Sequence, residues 1–223
     1  MKTEIDTEME FSPEIEPKIE TKLEKIEKHF RILLIIYIVI LIWAIFLKMN
    51  SLQNIQSSIN YGIKNHHSLN FENPFSHNKF TPYYFNWKTS VGRTNILNIL
   101  AFIPFGFLVS AVAKSYPFLK ALLWSFFLSL AFEGTQFVTA IGGLEGMDLV
   151  LNTLGGLIGF LIFWVFNFIR EQISVNAQEK LTAGVITICY LLFFPLAIYG
   201  VGKTFYHIDF YLSLIEPIIH SWQ

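Results

Sequence analysis

Glu133 and Gln136 stand inside a membrane-length apolar run, Ala121 to Val138, and Asp148 with Asn152 follows just past the next turn. A charged side chain near the centre of a bilayer costs about 2.5 to 3.5 kcal/mol, so such groups face a bundle interior or a wet cavity and mark function. A carboxylate sheltered there can be paired with a cation, kept protonated, or tuned into a base. Helical spacing collects these groups. Ser125, Ser129, Glu133 and Gln136 share one helix face, while Asp148, Asn152, Gly155, Gly156 and Gly159 share another. Asn98 lies one turn inside a second apolar run that opens at Arg93 and Asn95. The expected site therefore has Glu133 beside Asp148, held by Asn98, Gln136 and Asn152, with Arg93 as the counter-charge. Two readings of it stay open: a binding site, or a buried structural network that only holds helices together.

The elements that must position these residues are membrane helices. Of 223 residues, 53% are hydrophobic, 23 are Phe and only 15% are charged, and the mean hydropathy is +0.47. That is more apolar surface than a soluble domain of this length needs. Nine of the 17 acidic residues fall within the first 28 positions, so the rest of the chain is poorer still in charge. Against the ~20 residues that a bilayer requires, five runs qualify as spans: Ile32 to Leu47, Thr94 to Ala113, Ala121 to Ile141, Asp148 to Ile169 and Leu181 to Val201. The fold class is an all-α, polytopic membrane bundle. Pro104 and Gly106 can loosen the second span, and the small residues Gly155, Gly156 and Gly159 let helices approach closely.

Lys and Arg on alternate sides of these spans number ten against six, which by the positive-inside rule puts the N-terminus inside and the C-terminus outside. The polar residues then fall in the outer half of the membrane. Residues 1–31 form a polar cytoplasmic arm without the pattern of a cleaved signal peptide. Within it Ile19, Leu23, Ile26 and Phe30 recur at helical spacing among charges, as in a surface helix that leads into the membrane. Residues 32–201 make the transmembrane domain, including an external loop over 49–93, and residues 202–223 an external interfacial segment. His66, His67 and His77 of the loop, beside Glu72, lack a ligand spacing, so no metal is expected. No cofactor and no nucleic acid are expected either. The single cysteine, Cys189, sits in an apolar run and reads as an inert core residue.

Three ordered motifs carry a resemblance. Asn95-Ile-Leu-Asn98-Ile-Leu-Ala-Phe102-Ile-Pro104-Phe-Gly106-Phe, then Ser129-Leu-Ala-Phe-Glu133-Gly-Thr-Gln136, then Asp148-Leu-Val-Leu-Asn152-Thr-Leu-Gly155-Gly156-Leu-Ile-Gly159 resemble the VanZ-like family of bacterial membrane proteins over about Thr94 to Phe166. The family pattern usually carries an Arg and further acidic residues in the turn between the third and fourth spans. This chain has Gly142-Gly143-Leu144-Glu145-Gly146 there, so its turn supplies no cation.

The resemblance implies an association with low-level resistance to the glycopeptide teicoplanin and leaves the biochemical activity open. The leading expectation is a multi-pass cell-membrane protein that binds or modifies an envelope component or glycopeptide at the outer leaflet. Its partners would be membrane lipids and a peptidoglycan precursor or glycopeptide. A second is an intramembrane enzyme with Glu133 or Asp148 as general base on a lipid-linked substrate; the spans contain no His and no Ser/His pair to support it. A third is a small transporter, which with five spans and no internal repeat would have to oligomerise.

Overall fold

In a computed structural model the described residues are 16–46, 82–138 and 145–206. Five long helices dominate: α1 (Glu16–Phe46), α2 (Ser90–Val112), α3 (Pro117–Val138), α4 (Gly146–Glu171) and α5 (Val175–Tyr206), with a short 3-10 turn (Pro82–Phe85) ahead of α2. The loop histidines with Glu72, the glycines Gly142 and Gly143, residues 1–15 of the arm and the C-terminal segment beyond 206 lie outside the described residues.

α2 to α5 are each long and apolar enough to cross a membrane. The first expected span differs. Ile32 to Phe46 is the second half of one helix whose first half is charged, because no Gly or Pro interrupts the chain between Ile19 and Leu47 and the backbone ladder runs through the change in composition. One face of α1 buries Phe30, Leu33, Tyr37, Ile40 and Leu41, recurring at three and four. These side chains meet Phe102, Phe105, Leu108 and Val109 of α2 and Ile186 of α5 in the apolar core. Outward, Ile35, Trp124, Phe127, Trp164, Leu191 and Phe194 stay exposed, an apolar coat for lipid.

The bundle is built in two layers around α2. On one side α2 packs most heavily on α4, and α3 packs on both; on the other, α1 packs on α2 and carries α5, which touches α4 little. Contacts fix the directions. Gly155 meets Ile99 and Gly159 meets Ile103, so α2 and α4 run parallel; Ser125 meets Gly156 and Asn152 bonds Ser129, so α3 runs antiparallel to α4. His29 pairs with Tyr190, Tyr37 with Phe193 and Trp43 with Tyr199, so α1 and α5 run parallel.

Local chemistry sets the ends. Thr89, extended at φ −91° and ψ 150°, accepts the Gly92 N–H at 3.0 Å and starts α2. Tyr116 takes a positive φ of 50° immediately before Pro117, turning the chain from α2 into α3. Pro104 leaves α2 a single helix. Beside the resulting gap in its ladder, the Tyr37 hydroxyl donates to the Ala101 carbonyl at 2.7 Å, a neighbouring helix supplying a donor where the backbone is loosened.

Candidate functional site

The polar faces of α3 and α4 oppose each other turn by turn. Ser125 and Ser129 are fully buried, and Glu133, Gln136 and Asn152 are at most 5% exposed. Each step up α3 is matched by a step back along α4: Ser125 lies against Gly156, the Asn152 Nδ2 donates to Ser129 Oγ at 2.9 Å, and Glu133 reaches Glu145. This register sets the half-buried Asp148 level with Glu133.

Glu133 sits in the last turns of α3, where its Oε2 accepts the backbone N–H of Glu145 at 2.8 Å. Glu145 is the N-cap of α4 and makes no side-chain cap of its own. The carboxylate from α3 therefore occupies the positive end of the α4 dipole, where free N–H groups and the aligned peptides favour negative charge. Asp148, in the first turn of α4, benefits from the same field.

Small residues make the approach possible. A Cβ on Gly106 would fall on the Gly156 carbonyl, one on Gly155 on the Ile99 carbonyl, and one on Gly159 on the Ile103 carbonyl. Gly156 additionally admits the Ser125 side chain from α3. Gly155 and Gly159 thus serve the α2 contact, while Gly156 is shared by α2 and α3. Glycine spacing alone does not assign these partners.

The remaining expected members are placed differently. Asn98 is half-buried on α2, level with the Asn152–Gly155 turn, and its Nδ2 has no hydrogen-bond partner among the described residues; the same holds for Ser125 Oγ and Asn152 Oδ1. Three helices thus each bring one unspent polar atom into the interior, and a buried polar atom left unmatched costs about 1 to 3 kcal/mol. Arg93 is exposed and its guanidinium turns to the Lys88 carbonyl, 3.5 Å away, so the expected counter-charge sits at the surface. Its neighbour Asn95 is buried instead and donates to the Tyr84 carbonyl at 2.9 Å, fastening the 3-10 turn over the start of α2. Ser129 and the Glu145 N–H are the groups the expected site lacked. The four-residue step from Ser129 to Glu133 is the signal for the first; a main-chain partner leaves none.

Membrane-crossing helices closed around a buried polar ladder define a multi-pass integral protein of the cell membrane. The chain belongs to the VanZ/LLP1 family, whose model matches residues 34–167, from the apolar half of α1 almost to the end of α4. It is similar to Protein VanZ of Enterococcus faecium, with 34% identity over 169 residues, 75% of this chain and 89% of that protein. No solved structure matches it.

Proposed function

We propose that this VanZ-family protein binds a cell-envelope component, or a glycopeptide of the teicoplanin type, at the outer leaflet, with Glu133, Gln136, Asp148 and Asn152 as the polar lining. The observation that supports this most is the carboxylate of Glu133 at the start of α4, at the head of a buried ladder with hydrogen-bonding capacity still unspent. Such a site suits a ligand rich in amides and hydroxyls, whose polar groups need partners once they leave water. The orientation is part of the proposal: by the positive-inside rule, ten Lys and Arg against six argue for the N-terminus inside, and the loop Gly142 to Met147, free of Lys and Arg, would then face outward.

Teicoplanin susceptibility of a sensitive Gram-positive host tests the reading, comparing empty vector, wild type and Glu133→Gln at matched membrane levels. Protection by the wild type that falls to the vector level with Glu133→Gln is expected. Equal protection by both would remove Glu133 from the site, and protection by neither would remove the glycopeptide as ligand. Orientation is checked separately with a single cysteine at position 145 in a Cys189→Ser background. Labelling of that cysteine from the cytoplasmic side only would end the outer-leaflet proposal.

A further inference from the structure

Away from the polar ladder, α1 and α5 leave a cavity of about 470 Å³ between them. Its α1 wall carries Lys25 and His29 around Ile26, and its α5 wall carries Ala183, Ile186, Thr187 and Tyr190. The two walls differ in kind. α1 is still charged here, whereas α5 has been apolar since Leu181.

Depth follows from a neighbouring contact. Glu27, which lies between Lys25 and His29 in the chain, has its Oε2 3.7 Å from the Lys114 ammonium. Lys114 belongs to the turn joining α2 to α3, and a turn between two crossing helices must stand clear of the hydrocarbon, where its backbone would go unsatisfied. Lys25 and His29 are therefore at headgroup level, with Ile186 beside the first and Tyr190 beside the second. The His29 Nδ1 and the Tyr190 hydroxyl, 3.2 Å apart, tie the two helices together at the deeper end. Thr187 spends its hydroxyl proton on the Ala183 carbonyl at 2.8 Å, so the cationic and donor groups left for a ligand are those of Lys25 and His29. Glu179, the acid of the lining, already has an interaction of its own.

We infer that this cavity holds the headgroup of one anionic phospholipid of the leaflet at that face, its phosphate against Lys25 and His29 and its acyl chains running on past Tyr190 along the exposed Leu191 and Phe194. A basic pocket between membrane helices at headgroup depth has the charge and shape for such a lipid. The occupant would also cement α5, which packs mainly on α1. This site is independent of the Glu133 cluster.

The test is native mass spectrometry of the full chain released from vesicles of phosphatidylcholine containing phosphatidylglycerol. The wild type should retain one phosphatidylglycerol in preference to phosphatidylcholine. Lys25→Gln, at an exposed position that folding does not need, should lower that retention about fivefold, the order expected for one Lys near an anionic headgroup. Ala183→Trp, which fills the cavity, should abolish it, while Lys88→Gln, outside the cavity, should leave it unchanged. Retention of phosphatidylglycerol by Lys25→Gln at the wild-type level, or equal retention of phosphatidylcholine by the wild type, would overturn the inference.

Discussion

The two layers of the bundle hold together by opposite means. Between α2 and α4, backbones meet at Gly106, Gly155, Gly156 and Gly159, and the polar ladder lies beside this contact, between α4 and α3. Between α1 and α5, rings meet rings: Tyr37 and Phe193 centroids are 4.8 Å apart, Trp43 and Tyr199 5.7 Å, and the Trp43 ring lies on Gly200. In lipid there is no hydrophobic drive for helices to associate, so close backbone approach and hydrogen bonds carry the load. The glycine layer is rigid and specific and can position Glu133. The aromatic layer closes less tightly and leaves the cavity between its helices.

The sharpest way to break this contrast is steric. Gly106→Leu should cost about 3 kcal/mol or more, because the neighbour it strikes is main chain and cannot rotate away. Gly184→Leu on α5, which meets open space, should stay within about 0.5 kcal/mol. Thermal unfolding in detergent compares the two, and equal losses would show that the main-chain contact at Gly106 is not what holds the glycine layer. Next in size is Glu133→Gln, which keeps the shape and an acceptor for the Glu145 N–H but takes the charge from a bond worth about 1.5 to 3 kcal/mol, of which about half should be lost. A smaller effect comes from Ser129→Ala and Asn152→Leu. Their double-mutant cycle should return a coupling of about 0.6 to 1.7 kcal/mol, as measured for hydrogen bonds between membrane helices.

Smallest is the acid response of the charged half of α1. The hydrogen bond from Arg31 holds the Glu27 carboxyl below its ordinary value, with Lys114 acting in the same direction. The folded pKa is thus the lower one. The contribution is present above the unfolded carboxylate pKa and is lost as pH falls through the folded value. Glu27→Gln should flatten the pH dependence of thermal stability on the acid side of that window, and an unchanged profile would show that the contact contributes nothing.

The sequence makes α2, α3 and α4 visible because each is an apolar run of bilayer length, and it makes the two polar faces visible because helical period is a property of residue spacing. Both halves of α1 were visible and only their continuity was hidden by composition: the change from Lys28 and Arg31 to Ile32 resembles a boundary, yet helix hydrogen bonds depend on the backbone and cross it without a break. The partner of Glu133 was hidden for a related reason, since every residue has a main-chain N–H and the Glu145 side chain says nothing about its use. Arg93 stays outside while Asn95 is buried because only a folded 3-10 turn brings the Tyr84 carbonyl over the start of α2 and leaves the longer, charged side chain at the surface.

An uninterrupted α1 has a mechanical corollary. Its 31 residues form one rod of about 46 Å, with no hinge where water gives way to lipid. Any pull or docking event on the charged end must be answered by the whole rod. The bond from Tyr37 to the Ala101 carbonyl lies along the apolar half of this rod, so a tilt of the charged end would have to move Trp43 and its contact with Tyr199 as well.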